Sequence, residues 1–397
     1  MSQVKPYEIS VKQEVLDRIS QRIRDYRWDA LPDAGGWRCG IGLDYTRKLC
    51  DYWLNEFDWR KQEQRLNRFP QFMATVDGVD IHFYHVRSSN PSAANNGRAI
   101  LLTHGWPGSV FEFHNVIEPL AFPERFIGEG KVGGDAADAF DVIVPALPGF
   151  GFSGRPASPI GPRAIAKLFA KLMTDVLGYK SFVAQGGDWG SGVTAWLGFE
   201  HAPACRGIHL NMLMVQPALP PQTDEEKTWL QTMMAIQMQE GAYGQLQATK
   251  PQTLAFALMD SPVGIAAWIA EKFGGWTDVP RDGDKTPDLS RFSFDDLLTN
   301  IMFYVATDNF ATSAWIYFAM MQLEGSRTFP PGQRCETPTG FAAFPDPMLV
   351  PPPRSRLEKG YNLIHFTPMS QGGHFAAFEQ PDLFVADIRA FARKLDQ

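Results

Sequence analysis

The chain has few cysteines, and their spacing suits neither a disulfide framework nor a metal site. Cys39, Cys50, Cys205 and Cys335 are scattered over 397 residues, and no C-x-x-C pair occurs. Disulfide frameworks and structural zinc sites place their cysteines in closer or paired spacings. The sequence therefore predicts four reduced thiols and a cytoplasmic location.

Long hydrophobic runs and basic blocks are also missing. No run reaches about 18 apolar residues, the length from which a membrane-spanning helix is inferred. Residues 1–10 lack the apolar core of a signal peptide. The net charge is −7, without a cluster of Lys and Arg, which argues against a nucleic-acid partner. We expect a soluble protein with no membrane anchor.

Apolar and aromatic residues, by contrast, are plentiful. The hydrophobic fraction is 44%, and the chain contains 29 Phe, 11 Trp and 10 Tyr. This content is enough for a large buried core and excludes a disordered chain.

From residue 98 onwards, strand and helix patterns alternate. Short apolar runs that are typical of buried strands occur at 100–102, 142–144, 181–184 and 207–213. Helical segments separate these runs, which predicts βαβ units and a parallel sheet. Helical patterns then dominate from about 216 to 334, and a strand returns at 361–367. We interpret the helical segment as an insertion between the sixth and seventh strands.

The first 97 residues predict two helices followed by a hairpin. The first helix is expected to begin at Ser10, with Gln13 as its capping-box partner. The second covers about 45–57. Asp77-Gly78 separates two runs rich in β-formers, which predicts a two-residue hairpin turn.

The most informative residue is Asp188, in the segment Gly186-Gly187-Asp188-Trp189-Gly190. An apolar run precedes this segment and a helical pattern follows it, as in the G-x-nucleophile-x-G elbow of hydrolases, where serine is usual. A carboxylate is ionised near neutral pH and attacks without a base to remove its proton. Its attack on a saturated carbon gives a stable ester, whereas attack on an ester carbonyl gives a high-energy anhydride. Asp188 therefore indicates the opening of a strained ring or the displacement of a halide.

Other residues could complete a site around Asp188. His374 follows the last strand, where an α/β-hydrolase carries its general base, and Asp346 precedes that strand in a loop suited to the orienting acid. The backbone N–H groups of Trp106 and Trp189 could form an oxyanion hole. Alternatively, residues 104–108 are a Gly/Pro loop that only ends a strand, and Asp346 is an ordinary turn aspartate.

Tyr243 and Tyr317 lie in the helical insertion. A phenol can donate a hydrogen bond to a departing alkoxide and then protonate it. A tyrosine in a helix is more often a packing residue, so spacing alone leaves both roles open.

Nearly the whole chain resembles the epoxide hydrolases of the microsomal type, which belong to the α/β-hydrolase superfamily and carry an N-terminal extension. The resemblance runs from 53–60 to 372–379, with its most specific motifs at 104–109 and 186–191. It implies an aspartate nucleophile, a histidine base and two lid tyrosines that act as ring-opening acids. The segments that end at Tyr243 and Tyr317 match the two tyrosine segments of the family. The resemblance also implies a homodimer.

The chain departs from the family pattern at the orienting acid. When it is aligned on Phe344-Pro345 and on the His374 motif, the acid of the family falls on Pro347, and Asp346 lies one residue earlier. The membrane anchor of the mammalian relatives is also missing from this sequence.

The predicted fold is an α/β-hydrolase with a mostly parallel sheet flanked by helices. The core comprises residues 98–215 and 336–397, a helical lid covers 216–335, and an N-terminal arm, 1–97, packs over the lid.

The predicted reaction is the hydrolysis of a small apolar epoxide by water to a vicinal diol, without a metal or organic cofactor. The apolar character is inferred from aromatic residues of the insertion, namely Trp229, Trp268, Phe303 and Phe310. One alternative is a haloalkane dehalogenase with the same nucleophile, since Trp189 beside it could suit a halide. Another is a hydrolase-fold binding protein without catalytic activity.

Overall fold

One sheet of nine strands organises the computed structural model, which describes residues 4–94, 96–128, 132–283 and 285–397. The strands are β1 (Lys5–Tyr7), β2 (Gln71–Val76), β3 (Val79–Val86), β4 (Ala99–Thr103), β5 (Asp141–Pro145), β6 (Phe182–Gly186), β7 (Cys205–Leu210), β8 (Cys335–Ala343) and β9 (Tyr361–Pro368). Their order across the sheet is β1-β2-β3-β5-β4-β6-β7-β8-β9. The pairs from β5 to β9 are parallel, and β1, β2 and β3 extend the sheet in antiparallel fashion.

The central strands explain why the sequence predicted a parallel sheet. All five residues of each of β4, β5 and β6 are buried. Strands with helices on both faces need apolar side chains at nearly every position, which produces continuous apolar runs rather than alternation. The predicted α/β-hydrolase fold is confirmed.

Sixteen α-helices occur in the described residues, and seven of them lie in the segment 216–335 that was predicted to form the lid. Those of the arm and the core are α1 (Gln13–Arg24), α2 (Leu43–Asn55), α3 (Trp59–Asn67), α4 (Ile117–Ala121), α5 (Pro162–Lys171), α6 (Asp188–Glu200), α14 (Arg354–Gly360), α15 (Ala376–Glu379) and α16 (Pro381–Leu395). Those of the lid are α7 (Asp224–Glu240), α8 (Ala242–Thr249), α9 (Pro251–Leu258), α10 (Pro262–Trp276), α11 (Phe294–Val305), α12 (Phe310–Ser313) and α13 (Trp315–Phe318).

Strands β1 and β8 were not predicted, and they change the number of strands that precede and follow the lid. The lid lies between the seventh and eighth strands, so the prediction of the sixth and seventh was wrong. Pro338 and Gly340 interrupt the strand pattern in the sequence, because Pro cannot donate to a ladder and Gly weakens a strand. The structure accommodates them at two irregularities in the register between β8 and β9, next to Pro338 and Gly340.

The first helix begins later than predicted. Helix α1 starts at Gln13, and the residue before it is Lys12, which makes no side-chain cap. The predicted start at Ser10 and its capping box with Gln13 were therefore wrong. Helix α1 is stabilised instead by its amphipathic face, on which Ile19 and Ile23 are buried.

The arm has two parts with different partners. Strands β2 and β3 join the sheet through β5, whereas helices α1, α2 and α3 contact lid helices α10 and α11. Arg22 forms an ion pair of 2.8 Å with Asp260 of the lid, and the Tyr52 hydroxyl donates to Asp295 at 3.1 Å. The arm thus connects one edge of the sheet to the lid.

Lid helix α11 holds a loop of the core, residues 104–109. Asn300 donates from Nδ2 to the carbonyl of Pro107 and accepts at Oδ1 from the Ser109 hydroxyl, each at 2.8 Å. The Tyr304 hydroxyl donates to the carbonyl of Gly108. These side chains are buried, so water does not replace the bonds when one partner is lost.

The structure leaves all four cysteines as free thiols, as predicted, and only Cys39 is exposed. Among the described residues, no single helix has both the length and the apolar character to cross a membrane. One pair, α9 and α10, meets these criteria only when its two helices are taken together, and they are bent by 119°.

We expect Asn300→Ala to destabilise the fold and displace the 104–109 loop. The substitution leaves the Ser109 hydroxyl proton without an acceptor and the Pro107 carbonyl without a donor, both in buried positions, which costs about 2–4 kcal/mol. Chemical denaturation measures this loss as a decrease in the free energy of unfolding. The control is Asn55→Ala, which removes an exposed side-chain bond to a helix carbonyl. An equal effect of both substitutions would contradict the assigned role of Asn300.

Candidate active site

The end of β6 places Asp188 at the centre of the molecule, on a sharp turn into α6. Asp188 has a φ of 43°, in the left-handed region, and is 8% exposed. The turn requires glycine on both sides. A Cβ on Gly186 would lie 2.1 Å from the Gly190 carbonyl oxygen, and one on Gly190 would lie 1.8 Å from the Thr103 carbonyl oxygen. The G-x-x-x-G spacing thus allows β6, β4 and α6 to meet where the carboxylate projects.

The loop after β4 supplies a hydrogen-bond donor to this carboxylate. The backbone N–H of Trp106 donates to Asp188 Oδ1 at 2.8 Å. His104 braces the loop, since its Nε2 accepts from the Leu147 N–H at 3.1 Å and its Nδ1 lies 2.9 Å from the Gly105 carbonyl oxygen. Burial lowers the pKa of His104 to about 4, which keeps the ring neutral and able to accept.

Trp189 follows Asp188 in the first turn of α6, where backbone N–H groups have no partner within the helix. Its indole ring packs edge-on against Tyr317, with ring centroids 4.5 Å apart. The contribution of its N–H to an oxyanion hole stays a prediction.

His374 lies between two carboxylates. Its Nε2 is 3.4 Å from Asp188 Oδ2, and its Nδ1 is 2.9 Å from Asp346 Oδ2. The other oxygen of Asp346 accepts from the N–H groups of Met348 and Leu349, at 2.7 and 3.0 Å. The structure therefore brings Asp346 to His374 although the acid of the family aligns with Pro347.

The two carboxylates control the protonation of His374. Burial alone lowers the pKa of the imidazole, but the Asp346 and Asp188 charges outweigh burial and raise the pKa of His374 to about 10. The resting site at neutral pH thus contains an imidazolium between two carboxylates. Loss of the Asp188 charge removes one of the interactions that keep the proton on His374.

Tyr243 on α8 and Tyr317 on α13 face each other above this cluster. Their ring centroids are 5.9 Å apart, and the Trp106 ring stacks on Tyr243 at 5.2 Å. Burial, together with the charge of Asp188, raises the pKa of both phenols well above the ordinary value. Both phenols are therefore protonated at neutral pH.

A cavity of about 300 Å³ connects these groups. Asp188, Trp189, Tyr243, Tyr317 and His374 are among its lining residues. The other lining residues are mainly apolar and include Leu213, Met214, Trp229, Leu230, Met233, Met320, Met348, Leu349 and Val350. This lining is typical of a site for a small apolar molecule.

The aromatic residues from which an apolar substrate was inferred have different positions. Only Trp229 lines the cavity, and its indole N–H donates to the Val350 carbonyl at 2.9 Å. Trp268 donates to Gln247, and Phe303 and Phe310 are buried in the core. Methionine and leucine side chains, which carry no motif, provide most of the apolar lining.

Two ionisable residues near the site were missed from the sequence. The carboxyl group of Glu112 lies against Gly108, since a Cβ there would be 2.8 Å from Glu112 Oε2. Burial raises the pKa of Glu112 to about 8, and the charges of His374 and Asp188 have opposite effects on it. Lys272 of α10 is buried with its ammonium over the ring of Tyr243. A charged residue within an apolar run, as in 110–113, was the available signal for Glu112.

Metal-ligand clusters are not found in the described ranges: no group of three His, Cys, Asp or Glu side chains is arranged to hold a metal ion. The chemistry described below uses none.

Family models match most of the chain. Residues 4–113 match the model described as "Epoxide hydrolase N terminus", and residues 98–326 match the model of the alpha/beta hydrolase fold.

Individual relatives extend over the full length. The chain is 42% identical over 396 residues to a protein of Stigmatella aurantiaca that is provisionally named an epoxide hydrolase, covering 99% of this chain and 85% of that protein. It is 34% identical over 414 residues to epoxide hydrolase 1 of Sus scrofa, covering 99% and 89%.

Solved structures agree with these relatives. The epoxide hydrolase of Aspergillus niger superposes with a TM-score of 0.81 at 30% identity, covering 99% of this chain and 97% of that chain. The juvenile hormone epoxide hydrolase of the silkworm Bombyx mori has a TM-score of 0.81 at 29% identity, covering 100% and 95%.

We expect Asp346→Asn to lower the pKa of His374. Of the two carboxylate charges that raise this pKa, the substitution removes the one with the larger effect. The folded-state pKa of about 10 exceeds the ordinary value of 6.5. The resulting stability is therefore complete below about pH 6.5 and is lost as the pH rises towards 10. In Asp346→Asn this stability should be lost at a lower pH than in the wild-type protein, because the pKa of His374 is lower.

NMR titration of the imidazole nitrogens measures the pKa directly. Asp382→Asn, an exposed change at the start of α16, is the control. An unchanged pKa of His374 in Asp346→Asn would show that another group holds the proton.

Proposed function

Since the chain belongs to the epoxide hydrolases of the α/β-hydrolase superfamily and is an enzyme that hydrolyses epoxides, we propose that it does so through a covalent ester on Asp188. One observation supports this route above the others. Asp188 Oδ1 is held by the Trp106 N–H at 2.8 Å, which leaves Oδ2 at the cavity beside His374. A fixed carboxylate with one free oxygen is arranged for nucleophilic attack.

The first half-reaction opens the ring. Asp188 Oδ2 bonds to a ring carbon, the carbon–oxygen bond breaks, and its electron pair passes to the ring oxygen. Tyr243 and Tyr317 donate hydrogen bonds to that oxygen, and one of them transfers its proton. Both phenols are protonated at neutral pH, as this role requires.

The second half-reaction hydrolyses the ester. Alkylation neutralises Asp188, which lowers the pKa of His374, and the imidazolium passes its proton through water to the tyrosine that was ionised in the first half-reaction. The neutral imidazole, oriented by Asp346, then removes a proton from water as the water attacks the ester carbonyl carbon. The developing oxyanion is on Oδ1, where the N–H groups of Trp106 and Trp189 stabilise it. Its collapse breaks the bond between the carbonyl carbon and Oδ2, and the diol leaves with Oδ2 and one proton of the water, while the other proton stays on His374.

The substrate in this proposal is a small apolar epoxide, in keeping with the cavity lining, and the partners are limited to substrate and water. A cytoplasmic location and a homodimer remain predictions, the first supported by the free thiols.

We expect His374→Gln to block ester hydrolysis while ring opening continues. Intact mass spectrometry should then show the protein with the added mass of one epoxide on Asp188. His201→Gln is the matched control, since His201 follows the far end of α6, about 20 Å from the elbow at 1.5 Å per residue. Consumption of epoxide without a change in mass would exclude His374 as the base.

Single turnover in heavy-oxygen water tests the ester itself. Wild-type enzyme should acquire the label on the Asp188 carboxylate, because water attacks the carbonyl carbon. Label that appears directly in the diol on the first turnover would refute the covalent route.

The tyrosine pair distinguishes epoxide opening from halide displacement. An alkoxide leaves poorly without a proton, whereas a halide gains little from a phenol. Tyr243→Phe and Tyr317→Phe should each slow ester formation, and the double substitution should nearly abolish it, in pre-steady-state measurements with epoxides. Tyr26→Phe in the arm is the control. A wild-type rate in the double variant would limit both tyrosines to packing.

A further inference from the structure

Lys272 is a buried cation placed against one of the two lid tyrosines. Its side chain is 8% exposed, and Nζ lies 4.5 Å from the ring centroid of Tyr243 and 5.7 Å from that of Trp276. Glu271, the preceding residue on α10, forms an ion pair with the ammonium. Burial of a lysine is unfavourable unless its charge is compensated.

Packing alone does not require a charge at this position. An apolar side chain of similar length would fill the same space without loss of hydration, and such replacements of buried ions are often neutral or stabilising. The ammonium contacts the face of a ring that the proposed mechanism uses. A cation on the face of an aromatic ring stabilises negative charge on that ring more than it stabilises the neutral ring.

Charge moves towards Tyr243 during ring opening. The bond from Asp188 Oδ2 to carbon forms, the carbon–oxygen bond of the ring breaks, and the ring oxygen takes the phenol proton. The Asp188 carboxylate becomes a neutral ester, and Tyr243 becomes a phenolate that later takes up the proton released by His374. One negative charge has thus passed from Asp188 to Tyr243, into surroundings of low dielectric constant.

Three carboxylates around Tyr243 oppose its ionisation. The carboxylates of Asp188, Asp346 and Glu271 all disfavour the phenolate. Among the described residues, Lys272 places a positive charge over the Tyr243 ring. Tyr317 has no comparable cation in contact within those same ranges.

We propose that the Lys272 ammonium stabilises the ionised form of Tyr243 and thereby helps this tyrosine to give up its proton as the epoxide opens. Lys272 acts through Tyr243 and is therefore a positioning residue for charge. The kinetic part of this inference rests on the proposed function, in which Tyr243 is an acid.

The first test is spectroscopic and does not depend on turnover. 3-Nitrotyrosine is incorporated at position 243, and the ionisation of its phenol is followed by visible absorbance as the pH is raised. Lys272→Met should raise the pKa of this phenol, and Lys272→Arg should restore it. Glu271→Gln on the same helix is the matched control of opposite sign and should lower it. Lys272→Gln serves as a second neutral variant if the methionine variant does not fold.

The second test is kinetic. Lys272→Met should slow pre-steady-state ester formation by about 10- to 100-fold, as expected for the loss of one charge near the ionising group. In a Tyr243→Phe background the same substitution should change the rate by less than about twofold, because the effects of two substitutions that act through one group are not additive.

The outcomes separate the two proposals. An unchanged pKa of the nitrophenol in both neutral variants overturns the role of Lys272, and so does an equal rate loss with and without the Tyr243 hydroxyl. A pKa that responds to Lys272, combined with a wild-type rate in Tyr243→Phe, supports the charge interaction and contradicts Tyr243 as the acid of the proposed function.

Discussion

An ionised carboxylate buried at the end of β6 is the constraint on which the rest of the structure depends. Asp188 is 8% exposed, and an isolated charge in such a position is highly unfavourable. The Trp106 N–H and the His374 imidazolium together compensate it, and Asp346 fixes that imidazolium from the other side. The same contacts leave one oxygen of Asp188 directed to the cavity. The interactions that make the buried charge tolerable therefore also orient it for reaction.

The lid has a structural role beyond covering the cavity. Asn300 and Tyr304 of α11 hold the carbonyls of residues 107 and 108, next to the Trp106 N–H. The Trp276 carbonyl, at the end of α10, accepts from the backbone N–H of His374 at 3.0 Å. Both core loops that contact Asp188 are thus held by lid helices, which the arm in turn braces. This arrangement joins the arm, the core and the lid around the site, to which the lid also contributes Tyr243 and Tyr317.

Electrostatics links the two proposed half-reactions. The resting cluster contains two carboxylates and one imidazolium, so its proton is on His374. Ester formation neutralises Asp188 and moves negative charge to the lid tyrosines, near Lys272. The loss of that carboxylate weakens the hold on the His374 proton at the stage when a neutral imidazole is needed. In the proposed mechanism, a single change of charge at Asp188 therefore changes His374 from an ion-pair partner to a base.

The sequence by itself determined the parts of the protein that depend on local patterns. Continuous apolar runs located the central strands, and the glycine spacing around Asp188 located the elbow, because only glycine tolerates such close backbone contacts. The position of His374 after the last strand followed from the same strand order. Tertiary structure alone decided which acid meets that histidine: Asp346 reaches it because the Met348 and Leu349 N–H groups turn the loop around its other oxygen. The tertiary structure alone also placed Lys272 over Tyr243. These residues are 29 positions apart on two lid helices, and no local sequence pattern predicts their contact.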